Sequence, residues 1–161
     1  MKSKLSKGVR IVVLGNNHHL EISRDVTFKS GRIWFEDNGC IIRIGKGTTI
    51  ENASLSAAEN STSLEIGEDC MVSADVRIST TDAHSIIDLD TGKRTNPAKD
   101  IKIGNHVWVG WRVSVNKGVT IGDNSVIAGN SVVTKDIQSN CAAAGVPAKV
   151  VKERINWKRE R

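Results

Sequence analysis

The sequence has no tyrosine, two phenylalanines, two prolines and three cysteines among its 161 residues. Cys40, Cys70 and Cys141 are an odd number at wide spacings without a CxxC pair, which supports neither a disulfide framework nor a zinc knuckle. No run of about 18 apolar residues occurs, so we expect no integral membrane segment. The basic N-terminal stretch lacks the apolar region of a secretory signal, and we therefore expect a cytoplasmic protein.

Nucleotide-binding motifs are also missing. Neither GxxxxGK[ST] nor GxGxxG occurs, which disfavours nucleotide hydrolysis and dinucleotide redox chemistry. The segment from Lys149 to Arg161 holds six basic residues, yet Trp157 is its only aromatic residue. Single-strand binding would favour aromatics among the charges, so we expect no nucleic-acid partner. Two interpretations of this basic tail stay open: it is solvated, or it contacts the phosphates of a cofactor.

A repeat organises the N-terminal part of the chain. Three segments align without gaps at a period of 22 residues: NNHHLEIS from Asn16, NGCIIRIG from Asn38 and NSTSLEIG from Asn60. Within the units an apolar residue recurs six positions later, as from Ile44 to Ile50. We interpret each unit as three six-residue steps with four residues added, at the polar segment before each LEIG-like stretch.

In the C-terminal half the spacing is six without interruption. The aliphatic residues concerned are Ile103, Val109, Val115, Ile121, Ile127 and Val133. A helix repeats at 3.6 and a half-buried strand at two, so a spacing of six indicates a short strand followed by a turn. Stacked units place each aliphatic residue above its equivalent, in an interior ladder that one unit alone could not bury. The pattern predicts an all-β protein, a single domain over residues 1–161 built as a parallel stack of hexapeptide repeats.

Two segments depart from this rhythm. Residues 82–102 contain no six-residue spacing and begin next to His84, so we predict a protruding loop, an arm that belongs to an active site. After Val133 the pattern stops, and Gly145 followed by Pro147 predicts a turn and then a short basic C-terminal helix over about residues 147–159. This helix would cover the open end of the stack, whose strand edge would otherwise be unpaired.

The repeat, the stretch TDAHSIIDLDTGKRTNPAKDIKIGNHVWVGWRVSVNKGVTIGDNSVIAGNSVVTKDI and the closing AAGVPAKVVKER together resemble the hexapeptide-repeat acyltransferase superfamily. The resemblance is to its branch that O-acetylates sugars of capsules and lipopolysaccharides. It covers about Val72 to Glu153, whereas the N-terminal third shares only the coil rhythm. The resemblance implies a left-handed parallel β-helix and a homotrimer, with acetyl-CoA in the groove between neighbouring subunits. Each active site would then be built from two chains.

The resemblance also implies the residues that carry the chemistry. Acetyl transfer to a hydroxyl needs a base for the hydroxyl proton and exclusion of water from the thioester. His84 matches the family's catalytic histidine, although a histidine hydrogen-bonded at a coil corner is the alternative. Asp82 or Asp88 could orient the imidazole and stabilise its cation. Trp108 aligns with a tryptophan near the acceptor and could stack on a sugar, with core packing as its alternative.

For the donor, the resemblance points to one set of residues along the last coils. They are Trp108, Gly110, Ala128, Gly129, Lys135, Val146, Pro147 and Lys149. The small residues would let the pantetheine arm approach the backbone, and the lysines would meet phosphate oxygens. The role of Trp111 is open, because the family commonly has a smaller residue there. Trp34 and Trp157 lie outside the matched motifs and are interpreted as packing or interface residues.

Three alternative functions compete with a sugar O-acetyltransferase. N-acetylation of a nucleotide-linked amino sugar uses the same base catalysis, and only the branch resemblance separates the two. A zinc carbonic anhydrase of the same fold needs three converging histidines, and no close-spaced pair accompanies His84 and His106, so we expect no metal. A non-catalytic trimeric scaffold is disfavoured by the presence of His84, the arm and AGVPAK. One fold serves many acceptors, so the choice of sugar and hydroxyl depends on the residues of the site and not on the coil pattern.

Overall fold

In a computed structural model the chain is described from Ser3 to Glu160, and these residues contain sixteen β-strands and no α-helix. The strands are β1 (Lys4–Val13), β2 (His19–Ile22), β3 (Thr27–Phe35), β4 (Ile41–Ile44), β5 (Thr49–Ala57), β6 (Ser63–Ile66), β7 (Met71–Val72), β8 (Val76–Ser79), β9 (Ile101–Ile103), β10 (Trp108–Val109), β11 (Ser114–Val115), β12 (Thr120–Ile121), β13 (Val126–Ile127), β14 (Val132–Val133), β15 (Ala142–Gly145) and β16 (Ala148–Lys152).

The strands stack in parallel as a β-helix with three faces. The first face contains β7, β10, β13 and β15, and the second contains β8, β11 and β14. The longer strands β3 and β5 cross from the first face to the second, so their hydrogen bonds join both faces into one sheet of eleven strands. The third face is a separate sheet of five strands, in the order β12, β9, β6, β4 and β2. The predicted parallel stack is therefore confirmed.

Aliphatic ladders fill the interior, one for each face. Their members are Phe28, Ile50, Val72, Val109, Ile127 and Ala143 on the first face; Ile33, Leu55, Ile78, Val115 and Val133 on the second; and Ile44, Ile66, Ile103, Ile121 and Ile137 on the third. Each of these side chains is buried. Full burial of one such aliphatic or aromatic side chain stabilises a fold by about 1.5 to 3 kcal/mol. From Ile103 to Val133 the six-residue spacing thus reports the step from one face to the next, whereas in the 22-residue units the step from the first face to the second is five residues, as from Ile50 to Leu55.

The added residues of the 22-residue units lie where the sequence predicts them, in the turns before β4 and β6. The step from Leu55 to Ile66 is eleven residues, five more than six, and the step from Ile50 to Leu55 is one fewer than six, which gives the net addition of four. In these turns the amide side chains of successive coils form a ladder on the outside of the stack. Asn16 Nδ2 donates to Asn38 Oδ1 at 3.3 Å, and Asn38 Nδ2 donates to Asn60 Oδ1 at 3.3 Å. The hydrogen bonds satisfy polar groups that each longer turn brings to the corner.

The arm protrudes between β8 and β9, and it is shorter than predicted. Ile101 and Lys102 belong to β9, where Ile101 is buried and pairs with Leu64, so the arm ends at Asp100. Its distal part is a small hairpin in which the Asp88 amide donates to the Lys93 carbonyl at 2.9 Å. The aliphatic side chains near its tip are exposed.

The predicted helix over residues 147–159 is wrong. The chain instead turns at Val146 and Pro147, and β16 pairs antiparallel with β15. This pairing satisfies the free edge of β15, and the β-branched Val150 and Val151 suit a strand better than a helix. The segment does cover the end of the stack as expected, but with a strand in place of a helix.

The residues after β16 run back along one corner of the coils. The Ile155 amide donates to the Asn140 carbonyl at 2.8 Å, and the Trp157 ring stacks on the His106 ring with centroids 4.3 Å apart. Arg159 then bonds to Asp69 at 3.0 Å. Trp157 is buried, so its interpretation as a packing residue is confirmed within the chain. The tail therefore clamps successive coils together.

Candidate active site

His84 lies at the start of the arm, immediately after the second face. Its side chain is exposed, and its ring makes no hydrogen bond to any residue between Ser3 and Glu160. The backbone around it is held, because Asn96 Nδ2 donates to the His84 carbonyl at 2.9 Å and the Ile86 amide donates to Asn96 Oδ1 at 2.7 Å. The imidazole is therefore free to meet a substrate while its backbone is fixed on both sides.

Asn96 is itself buried at the base of the arm and forms the centre of this arrangement. Its Nδ2 also donates to Asp82 Oδ2 at 2.9 Å, and its backbone carbonyl oxygen accepts from Lys117 Nζ at 2.7 Å. One side chain thus connects the residues two before and two after His84. No signal in the sequence indicates this role, because the contact joins the two ends of an irregular loop.

A second anchor is the ion pair between Glu59 and Arg94. Arg94 donates two hydrogen bonds to the Glu59 carboxylate, at 2.6 and 2.7 Å, and Thr81 Oγ1 donates a third at 2.6 Å. The bonds from Arg94 lower the pKa of Glu59 to about 2, outweighing the opposing effect of burial. The anchor ties the arm to the turn before β6, in the preceding coil.

No hydrogen bond or ion pair joins Asp82 to the His84 ring in the part of the chain that the structure describes. The Asp82 carboxylate pairs with Lys117 Nζ at 2.6 Å, and the hydrogen bonds from Lys117 and Asn96 lower its pKa. Asp88 accepts hydrogen bonds from the backbone and hydroxyl of Thr91, both at 2.7 Å, within the hairpin. The sequence suggests that one of these acids orients the imidazole, but within the described residues both carboxylates are bonded elsewhere. Asp82 instead holds the arm through Asn96 and Lys117.

Trp108 lies on the first face, in β10, away from His84. Its side chain is 37 % exposed, so core packing does not account for it. Its indole Nε1 donates to Ser73 Oγ at 3.4 Å, and its ring lies 6.1 Å from the Trp157 ring. No hydrogen bond or ring contact joins Trp108 to His84 within the described part of the chain. A single chain thus separates two residues that the sequence assigns to one site.

The small residues predicted for the donor have a role in coil stacking. A Cβ added to Gly110 would lie 2.7 Å from both the Gly129 amide nitrogen and the Ile127 carbonyl oxygen. A Cβ on Gly129 would lie 3.1 Å from the Trp111 carbonyl oxygen. Gly110 is buried, whereas Ala128 and Gly129 are exposed. The close approach of neighbouring coils therefore explains by itself why residue 110 is a glycine. Ala128 and Gly129, in contrast, present an open surface.

The remaining predicted donor residues are exposed at the C-terminal end of the stack. Val146, 71 % exposed, and Pro147 form the turn between β15 and β16, and Lys149 follows on β16. Lys135 lies two residues after β14, on a separate turn. All four are accessible to a ligand.

Trp111 is also exposed, at the turn after β10. Its ring carries the Arg112 guanidinium at 4.0 Å from the ring centroid. The pair stands beside Gly129 of the next coil, where the Asn130 amide donates to the Trp111 carbonyl at 2.8 Å. Trp111 therefore borders the surface formed by Ala128 and Gly129.

A groove of about 540 Å³ runs along the outside of the second face and ends at the start of the arm. Its lining includes Arg32, Trp34 and Arg77, with Ala83 at the end next to His84. Trp34, for which the sequence predicts a packing or interface role, is half-buried and borders this groove. The N-terminal coils thus line the groove that leads to the arm, which the coil rhythm alone did not indicate.

The described residues contain no group of three or more His, Cys, Asp or Glu side chains placed to hold a metal ion. His106 is engaged in structure, with Nδ1 2.7 Å from Asp69 Oδ2 and Nε2 3.0 Å from the Trp157 carbonyl. Between Ser3 and Glu160 there is also no helix of the length and hydropathy that crosses a membrane.

Comparison with known protein families gives a match over residues 100–135, to the bacterial transferase hexapeptide family of six repeats. A polysialic acid O-acetyltransferase of Neisseria meningitidis is 34% identical over 180 aligned positions, covering 98% of this chain and 83% of the relative. A polysialic acid O-acetyltransferase of Escherichia coli is 42% identical over 121 residues, which is 75% of this chain. The chain spans 39% of the length of that E. coli relative.

Solved structures agree with the sequence relatives. The crystal structure of the polySia-specific acetyltransferase NeuO superposes with a TM-score of 0.73 at 30% identity, covering 96% of this chain and 91% of that one. A hexapeptide-repeat acetyltransferase of Vibrio cholerae complexed with acetyl coenzyme A superposes with a TM-score of 0.56 at 25% identity, covering 92% and 72% of the two chains. The likeness extends over the whole stack, including the N-terminal coils. The chain therefore belongs to the hexapeptide-repeat acyltransferases with the left-handed β-helix fold, in the branch that contains sugar O-acetyltransferases.

Proposed function

We propose that this protein transfers an acetyl group from acetyl-CoA to a hydroxyl of a polysaccharide sugar, with His84 as the general base. The observation that carries the proposal is the placement of His84. Its exposed ring stands on an arm whose backbone is fixed by Asn96 and Glu59, at the end of a groove large enough for a sugar. The named acceptors of the relatives, polysialic acids, support a polysaccharide as the acceptor.

In the proposed reaction His84 transfers the proton and Asn96 positions the ring. The His84 imidazole takes the proton of the acceptor hydroxyl while the oxygen of that hydroxyl attacks the thioester carbonyl carbon. The carbon–sulfur bond then breaks, and the imidazolium returns the proton to the departing thiolate. Asn96 contributes by fixing the direction from which the ring approaches, since a base must lie within hydrogen-bond reach of the proton it removes.

The donor fits the C-terminal coils. Ala128 and Gly129 offer an exposed surface without bulky side chains, along which a pantetheine arm can lie against the backbone. Lys149 and Lys135 supply cations for phosphate oxygens, and Val146 and Pro147 offer an apolar surface to the adenine. The acetyl coenzyme A complex of the Vibrio cholerae neighbour supports this choice of donor. With this donor we expect a cytoplasmic enzyme that requires no metal.

A homotrimer completes the site in this proposal. His84 and Trp108 lie on different faces of one chain, so His84 of one subunit meets Trp108 of a neighbour only if two chains pack side by side. The arm carries three exposed aliphatic side chains, Ile86, Ile87 and Leu89, and the Leu89 side chain is 98 % exposed in the single chain. Such an apolar surface is typical of a subunit contact, which supports this packing. Trp108 would then offer its indole N–H and its ring to the acceptor.

Mass spectrometry of the products tests the reaction class. The protein is incubated with acetyl-CoA and a panel of polysaccharides and nucleotide-sugars, and products heavier by one acetyl group are treated with mild base. We expect an ester that mild base removes. A base-stable product would be an amide and would establish N-acetylation in its place. Acetyl-CoA binding without any product from the panel would favour the non-catalytic scaffold.

Subunit complementation tests the shared site. His84→Ala and Trp108→Ala, each with low activity alone, are unfolded together and refolded as a mixture. In randomly mixed trimers about one quarter of the interfaces would carry both native residues, so the mixture should regain about that fraction of activity. A mixture no more active than its components would show that each site uses one chain only.

A further inference from the structure

The groove on the second face is built from one regular row of outward-facing side chains. Strand pairing aligns Arg32 with Ser54, Ser54 with Arg77, and Arg77 with Ser114. Neighbouring strands lie about 4.8 Å apart, so the two arginines stand roughly 10 Å apart along the stack, with a serine between them. A second row beside it aligns Trp34 with Ser56.

The serines make the floor of the groove and the larger residues make its walls. Ser54 and Ser56 are small, and their hydroxyls can donate to or accept from a sugar hydroxyl. The Trp34 indole donates to Glu36 at 3.1 Å, which fixes the plane of its ring beside them. A flat aromatic ring next to hydroxyl groups suits a sugar, which has apolar C–H faces and polar edges.

The groove carries more positively than negatively charged side chains. Arg77 is exposed and forms no ion pair with any residue between Ser3 and Glu160. Among the described residues Arg32 donates only to Ser54 Oγ, at 3.3 Å, and its guanidinium carbon lies 5.0 Å from the centroid of the Trp34 ring. At the end of the groove Lys117 and Asp82 neutralise each other, with 2.6 Å between them. Glu36 is the one further acid among the described residues that line the groove, so Arg77 is left available for an anion.

We propose that this groove binds an acceptor whose sugars carry carboxylates, and that Arg77 and Arg32 determine this specificity. The saccharide chain lies along the stack, each guanidinium takes a carboxylate, and the Trp34 ring supports a sugar face. The hydroxyl to be acetylated then lies at the arm end, beside His84. Arginine suits this task because its fork matches the two oxygens of a carboxylate. The inference rests on the proposed function and adds the chemical class of the acceptor.

The phosphates of the donor are the other anions that these arginines could serve. The donor residues, however, lie on the last coils and in the turn between β15 and β16, where Lys135 and Lys149 provide cations. The arginines lie on β3 and β8, in earlier coils. A change at Arg77 should therefore alter the Michaelis constant for the saccharide and leave that for acetyl-CoA unchanged.

Binding to matched saccharides tests the inference without relying on turnover. An oligosialic acid and the same oligomer with its carboxylates reduced to alcohols are titrated into the protein by calorimetry. We expect the acidic oligomer to bind at least about tenfold more tightly, which is the effect of one or two charge-assisted hydrogen bonds. Arg77→Gln should remove most of this preference, and Arg77→Lys should retain part of it. Lys102→Gln, which removes the same charge on the third face, is the matched control and should bind as the wild type does.

The possible outcomes separate this inference from the proposed function. Equal binding of the acidic and reduced oligomers, or a preference that survives Arg77→Gln, would overturn the carboxylate site while leaving acetyl transfer to a neutral sugar intact. A preference lost with Arg77→Gln would support the site even if no acetylated product formed. A rise in the Michaelis constant for acetyl-CoA in Arg77→Gln would assign the arginine to the donor and overturn the inference.

Discussion

Asn96→Ala is the substitution that most directly probes how the arm presents His84. It removes the hydrogen bond to the His84 carbonyl at 2.9 Å, the one to Asp82 at 2.9 Å and the one from the Ile86 amide at 2.7 Å. Each such bond contributes about 1 kcal/mol net. Asn96 is buried, but its partners Asp82, His84 and Ile86 are exposed, so water replaces part of what they lose. We therefore expect a loss of about 2 kcal/mol in holding the productive arm conformation.

The expected kinetic result follows from that magnitude. A loss of about 2 kcal/mol corresponds to a fall of roughly 30-fold in kcat/KM if the arm must adopt one conformation for transfer. The fall should appear in kcat, measured by release of free thiol, while the Michaelis constant for acetyl-CoA stays unchanged. The coils should remain as stable as before, because the arm lies outside the interior ladders.

Two variants serve as controls for this prediction. Asn96→Asp keeps an acceptor for the Ile86 amide but loses the donor and places a second carboxylate beside Asp82, so it should not restore activity. Thr95→Ala removes one exposed hydrogen bond at 3.1 Å to the Ile86 carbonyl and should change kcat by less than about threefold. Full activity of Asn96→Ala would refute the argument that this side chain positions His84.

Three further predictions concern the stability of the fold. Because Arg94 lowers the pKa of Glu59 to about 2 from 4.5, the ion pair stabilises the fold above about pH 4.5, and its contribution is lost as the pH falls towards 2. Glu59→Gln should therefore lower Tm at pH 7 and approach the wild type near pH 2; a constant difference across this range would contradict the assignment. Gly110→Ala should lower the free energy of unfolding in urea by about 1 to 3 kcal/mol in the absence of ligand, because its Cβ would overlap the next coil. An unchanged free energy of unfolding would mean that coil stacking does not require this glycine and that donor binding is its one remaining role. Trp157→Ala should lower the free energy of unfolding by about 3 kcal/mol, whereas Trp34→Ala should change it by less than about 1 kcal/mol; equal effects would show that the tail does not clamp the coils.

The interior of this fold can be predicted from sequence because it depends on a local period. From Ile103 to Val133 each ladder residue, such as Val109 or Ile127, is specified by its six-residue spacing, and the register there follows from stacking equal coils of 18 residues. The C-terminal segment could not be predicted in the same way. Its conformation depends on the edge that β15 presents once it has paired with β13, and on the contact of Trp157 with His106, which lies 51 residues earlier in the chain.

The candidate site shows the same division. His84 and Trp108 stand in motifs, so resemblance finds them, whereas Asn96 and Glu59 act through contacts across the arm. Arg77 could have been noticed as an outward position of the second face once the coil register was known. Without the register, an arginine in a polar stretch is indistinguishable from a surface charge.

The central claim is that His84 is the base for acetyl transfer, and steady-state kinetics of His84→Ala test it most directly. With acetyl-CoA and an acidic oligosaccharide as substrates, the variant should lose at least about 100-fold in kcat, the usual contribution of a positioned base, with an unchanged Michaelis constant for acetyl-CoA. His19→Ala, an exposed histidine of the third face, is the matched control and should retain full activity. A kcat for His84→Ala equal to that of His19→Ala would contradict the claim.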